Sequence, residues 1–227
     1  MLNNYFVFLK LLRKKYKFKF FNEKIFKYKD IILRHDVDYH IDYALELAKI
    51  EKKLNIKSTY FFLLRSDFYN LFSFESINKI NIIKKLGHKI SLHFDDAIYN
   101  KNLKINFLRE KKFFEKMMNV KIDIISFHRP LKKYIQSNKR VFGISHTYQS
   151  KYMKKIKYFS DSRNKFSYGN PLSTLEYKKN ISMQILIHPI WWVSKFDQNS
   201  KIKFKKLLQD KQSVLIKNLK LNSQIYT

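Results

Sequence analysis

An α/β protein with a mainly parallel sheet or barrel is what this sequence predicts, and two observations carry the prediction. Apolar segments of strand type alternate with segments of helical spacing along the chain, the order that favours parallel strands joined by helices. His and Asp residues recur just after the strand segments, at the carboxyl ends where α/β folds gather their sites.

The elements follow in order. Residues 3–16 have helical spacing, and residues 31–34 form a short apolar strand. From Asp42, the positions Ala44, Leu45, Leu47, Ala48, Ile50 and Leu54 keep a helical period, with Asp42 expected as the cap. Residues 59–64 are β-branched and aromatic and predict a strand. Residues 77–86 predict a helix closed by Gly87 at C′. Strands are predicted at 90–94, 122–127 and 181–187, and an amphipathic helix at 201–219. With no visible linker or repeat, the expectation is one domain over 1–227, its motif-bearing core at about 28–195.

Composition narrows the function classes. The chain has 227 residues, 45% hydrophobic and 17% aromatic, enough for a substantial core. Its net charge of +29 raises nucleic acid, anionic membrane or acidic glycan as partners. The basic residues form no single tract, however, and only seven are Arg, the better choice for bidentate phosphate or base contacts. Compositional bias is therefore preferred over a dedicated nucleic-acid surface. The absence of Cys excludes disulfides and thiolate metal sites. The apolar run at 5–9 is too short for a secretory core, and no stretch approaches a membrane span of roughly 18 apolar residues. A cytoplasmic location is expected, with at most weak membrane-surface contact by the first helix.

Five segments carry chemistry. In His35-Asp36-Val37-Asp38, alternate residues of a strand share a face, so Asp36 and Asp38 can converge while Val37 faces away. Close carboxylates repel unless a cation or proton intervenes; one can bind a metal while the other accepts a proton from water. Solvated loop carboxylates explain the pair equally well when it stands alone. In the second segment His93 and Asp95 are two apart and share a face, whereas His88 is five from His93 and reads as structural. His128-Arg129-Pro130 offers a metal or substrate ligand and a cation that neutralises a carboxylate, or merely a polar turn. Asp161 either orients an imidazole or caps a turn. His188 leaves an apolar strand beside Trp191 and Trp192, the pattern of a proton donor next to a sugar-stacking wall, or of a buried core His.

Taken together, Arg-His-Asp-Val-Asp from Arg34, Gly-His-Lys-Ile-Ser-Leu-His-Phe-Asp from Gly87, Phe-His-Arg-Pro from Phe127, Ser-Asp-Ser from Ser160 and Leu-Ile-His-Pro-Ile-Trp-Trp from Leu186 resemble the polysaccharide deacetylase superfamily, carbohydrate esterase family 4 and its relatives. The likeness is greatest to the deacetylase-like proteins with a His-Asp-Val-Asp first motif, and runs from about residue 16 to 192. It implies a distorted (β/α)7 barrel and metal-dependent removal of an acetyl group, from amide or ester, on a glycan or sugar, as in bacterial surface-glycan biosynthesis. By resemblance Asp36 is the catalytic base, Asp38 and His93 bind a divalent metal with zinc the first choice, Asp161 tunes the acid, and His188 is that acid. Arg129 and Pro130 match the family's Arg-x-Pro region loosely, and His128, Arg129 and Trp191 are the expected substrate contacts. The family's second metal His, four residues after the first, is Ala97 here. Asp95 is the first substitute ligand and His128 the second. A decayed glycan-binding scaffold of the same fold is the alternative, and a basic nucleic-acid binder the third reading.

Overall fold

The computed structural model describes residues 3–193, 199–223 and 225; the expected core boundary near 195 lies outside the described residues. The strands are β1 (Lys17–Lys19), β2 (Asp30–Val37), β3 (Thr59–Leu63), β4 (Lys89–Phe94), β5 (Ile124–Phe127), β6 (Ser145–His146), β7 (Lys157–Ser160) and β8 (Met183–Ile187). The helices are α1 (Asn3–Arg13), α2 (Ile41–Lys53), α3 (Phe74–Lys85), α4 (Leu103–Met118), α5 (Ser150–Met153), α6 (Leu175–Lys178) and α7 (Ser200–Asn222). Every named strand pair is parallel, in the order β6-β5-β4-β3-β2-β8-β7, with β1 pairing the start of β2. This is the predicted α/β class: a seven-strand parallel sheet curled as a barrel and left open between β6 and β7.

Strand β2 organises the molecule because all eight of its residues are buried. Its odd positions face the helices: Ile31 and Leu33 pack with Tyr5, Leu9 and Leu47, and Val37 with Ile41 and Ala44. His35, on that same face, meets Glu51 of α2 at 2.7 Å. Glu51 also accepts hydrogen bonds from Tyr5, from Ser58 at 2.5 Å and from Tyr60 at 2.9 Å. Burial opposes its charge, but His35, with help from His88 and Ser58, depresses its pKa to about 2. His88 joins this group through Ser58, as a structural residue should.

The even positions of β2 face into the barrel. Ile32 lies in an apolar floor with Phe21, Phe61 and Ile124. Arg34 and Asp36 come above it, and Asp38 lies just past the strand. The interior thus changes from apolar to charged along one strand, toward its carboxyl end.

Several boundaries differ from the sequence reading. His40, not Asp42, caps α2: its Nδ1 accepts from the Asp42 backbone N–H at 3.3 Å, with Asp42 in the first turn. Helix α1 places Tyr5, Phe8, Leu9 and Leu12 in the core, so its apolar face is used internally. Gly87 follows α3 with φ +98° and nothing within 4 Å of where a Cβ would lie. Gly87→Ala should therefore cost only backbone strain, about 1–2 kcal/mol, read as a lower urea midpoint with an unchanged slope.

Candidate metal and acid–base site

The site is assembled by register. His93 of β4 pairs with Ser126 of β5. Two residues beyond Ser126, on the same side, His128 reaches the level of His93, and its backbone N–H donates to Phe94 at 2.9 Å. Asp38 arrives from β2. His93 Nε2 and His128 Nδ1 lie 3.3 and 3.5 Å from Asp38 Oδ1, and 3.3 Å from each other. Asp38 Oδ1 is buried and lacks a hydrogen bond of good geometry despite those neighbours. Burial opposes its charge, yet the imidazoles hold its carboxyl well below the usual range, while Asp38 raises His128.

Three donors converging on one point form the arrangement expected of a metal site, and they are the only such group among the described residues. Tetrahedral ligands about 2.0–2.1 Å from an ion stand roughly 3.3–3.4 Å apart, so the observed separations fit. The donor set of two imidazoles and one carboxylate suits zinc or a related transition metal.

Asp95, the first substitute expected from sequence, does not join this group. Like His128, Asp95 stands one residue past its strand, and its own hydrogen-bond partners turn it away from the site. Its Oδ1 instead caps the following turn at the Ala97 N–H, at 3.2 Å. Arg129 holds it from the other side, with Nη2 at 2.5 Å. His128, the second substitute, provides the donor that Ala97 cannot. Isothermal titration with Zn²⁺ should show binding lost in His128→Ala and His93→Ala but kept in Asp95→Asn.

Asp36 sits beside the triad, its Oδ2 3.7 Å from His93 Nε2. Arg34, two residues earlier on the same face, grips it with Nε to Oδ1 at 2.9 Å and Nη2 to Oδ2 at 2.6 Å. Arg34 also donates to Thr147 at 2.7 Å and Ser126 at 2.6 Å, and its guanidinium stacks 4.7 Å from the Tyr148 ring. Burial works against the Asp36 charge, and Arg34 outweighs it, leaving the carboxyl below its ordinary pKa. Sequence reading missed Arg34; the available signal was an arginine inside an apolar strand at an even spacing from Asp36 and Asp38.

His188 follows β8 and approaches from the opposite side, its Nε2 3.8 Å from Asp38 Oδ2. Asp161, at the end of β7, clamps it: Oδ1 meets Nδ1 at 2.7 Å and accepts the His188 backbone N–H at 2.9 Å. The other oxygen accepts from Trp192 Nε1 at 2.8 Å. Burial would lower the His188 pKa, but the hydrogen bond and charge of Asp161, with Asp38 and Asp36 beyond, raise it to about 9.

A cleft of about 860 Å³ opens from Asp38 and His128 and is flanked by Arg65, Phe68, Tyr69 and Arg129. Trp191 is not on its wall. It is 5% exposed and packs edge-on to Phe204 of α7, 5.5 Å between ring centres. The expected sugar-stacking role of Trp191 is therefore corrected: α7 covers that ring. The aromatic surface of the cleft comes from Tyr39, Phe68 and Tyr69 in the loops after β2 and β3.

No protein-family model matches the sequence, and no curated protein is similar to it. Solved structures are. A Streptococcus pyogenes deacetylase in complex with acetate is 15% identical over 83% of this chain and 81% of that one, with a TM-score of 0.49. The chitin deacetylase of the fungal pathogen Colletotrichum lindemuthianum is 13% identical over 80% and 81%, with a TM-score of 0.46. A family 4 carbohydrate esterase pseudoenzyme from Bacillus anthracis is 12% identical over 81% of this chain, with a TM-score of 0.46, and this chain spans only 60% of its length. In structure, this chain is similar to carbohydrate esterase family 4 polysaccharide deacetylases, at low sequence identity.

Proposed function

We propose that this chain is a metal-dependent hydrolase that removes an acetyl group from an acetamido sugar. The observation that carries this reading is the convergence of the Asp38, His93 and His128 donors with Asp36 and the His188–Asp161 pair. A bound divalent ion would act as a Lewis acid on the acyl oxygen and make water more acidic. Asp36 takes the proton from the attacking water, and Arg34 and Ser126 fix the direction of its lone pairs. Asp161 holds the Nδ1 proton of His188, which leaves the Nε2 proton facing the cleft for the departing nitrogen. The oxygen of water ends on the acetyl carbon, the C–N bond breaks, and acetate and a free amine leave.

The test is metal analysis of the purified protein together with acetate release from an N-acetylated oligosaccharide. One bound metal per chain, and acetate release abolished by chelation and restored by Zn²⁺, support the reading. A protein that takes up no metal and gains no thermal stability from added Zn²⁺ is a decayed scaffold instead.

A further inference from the structure

The mouth of the cleft carries an unusual surface. The loop after β3 exposes Phe68 at 45% and α3 opens with Phe74 at 81%, while the turn after β4 exposes Ile98 at 44%. These segments all follow carboxyl ends of strands, so they belong to the site end of the barrel. Leu131 and Ile135, after β5, are exposed at the same end. Phe68 and Ile98 share the site cleft, and Phe68 and Phe74 share a second groove of about 640 Å³ with Leu215 and Lys211 of α7. An apolar rim thus runs from the site to the last helix.

Helix α7 extends that rim. Leu208, Leu215 and Leu219 stand at i, i+7 and i+11, one stripe, and are 68%, 61% and 39% exposed. The helix sequence holds seven lysines, of which Lys203 alone is buried, and a single aspartate, paired by Lys206. Exposed Lys132 and Lys133 follow Leu131 in the loop after β5. A nucleic acid would match the charge but leave the Phe and Leu side chains in water. An acidic protein would have to present apolar surface among its carboxylates to cover the Phe and Leu side chains. An anionic lipid surface satisfies both features at once, taking apolar side chains into the acyl boundary and cations among the headgroups. No described helix is long and apolar enough to cross a membrane, so the contact is peripheral.

We infer that the site end of this protein, through Phe68, Phe74 and the Leu215 face of α7, docks on an anionic membrane with the cleft opening toward the headgroups. Docking would confine the protein to substrates presented at that surface, and the inference stands whether or not the site deacetylates.

The experiment uses the full chain with vesicles of phosphatidylcholine, alone or with anionic phosphatidylglycerol. Phe74→Trp and Tyr28→Trp report opposite ends of the barrel, since Tyr28 precedes β2 and is 49% exposed. Anionic vesicles should blue-shift the emission of Phe74→Trp and expose it to quenching by brominated lipid, and leave Tyr28→Trp unchanged. Phe74→Ser with Leu215→Ser should weaken partitioning about tenfold or more with circular dichroism unaltered. Equal shifts at both ends, partitioning that survives loss of the apolar pair, or no vesicle binding would each overturn the inference, the first two by showing unoriented charge adhesion.

Discussion

Arg34→Met should lower the unfolding free energy by about 3–5 kcal/mol, the range for removing one partner of a buried ion pair. Arg34 is fully buried and holds Asp36 through two hydrogen bonds. Methionine fills most of the arginine volume and so isolates the electrostatic loss, leaving Asp36 with a buried charge and Ser126 as its remaining donor. The double variant Arg34→Met, Asp36→Leu should regain much of the stability, because a pair replaced by apolar residues costs far less than a pair broken. The pH dependence follows from the depressed Asp36 pKa. Its contribution is present above the ordinary carboxylate range and is lost as pH falls through the folded value. In Arg34→Met that acid-side loss should begin at higher pH. Denaturant titrations of the wild type and the single and double variants between about pH 2 and 8 read both effects; equal stability of wild type and Arg34→Met would show that the pair contributes nothing.

The second large effect concerns His188. On the proposed mechanism, His188→Ala should reduce turnover by roughly 10²–10⁴-fold, as should Asp36→Asn, the usual scale of a lost general acid or base. Asp161→Asn keeps the hydrogen-bonding shape but removes the charge that raises His188 to about 9 from 6.5. The sign is opposite to that of Asp36: stability from a raised imidazole is complete below about 6.5 and disappears as pH climbs through about 9. In the metal-free Asp161→Asn protein that loss should move to lower pH, visible in the NMR titration of the His188 ring and in melting temperature against pH. Undiminished acetate release by both His188→Ala and Asp36→Asn would remove these residues from the mechanism.

What the sequence made legible follows from what local pattern encodes. The strand ends bearing Asp38, His93 and His188 were readable because a β-branched or apolar run that stops at a polar residue is a local signal. The choice between Asp95 and His128 was not, because it depends on the β4–β5 register and on the contacts that give Asp95 to the Ala97 N–H and Arg129. Arg34 escaped for a similar reason: two of its partners, Thr147 and Tyr148, are 113 and 114 residues away. Helix α4 was overlooked because its buried Phe107, Glu110, Phe114 and Met118 are interleaved with Lys104, Lys111, Lys112 and Lys116, which dilute the apolar stripe. Strands β1 and β6, three and two residues long, lie below the length at which alternation can be recognised. Trp191 was misplaced since an aromatic beside a site His looks the same whether it faces sugar or a covering helix.

The two faces of β2 carry a further meaning for how this chain can vary. One face delivers Arg34, Asp36 and Asp38 to the barrel, and the other sets His35 against Glu51. A single-residue insertion or deletion in this strand would exchange the faces. It would bring the Asp36 carboxylate toward Glu51 and strand Arg34 among apolar rings, while His35 and Val37 entered the site. Both faces would then fail together. Alternative registers are thus penalised twice, so the segment from Arg34 to Asp38 should tolerate selected substitutions far better than any change of length.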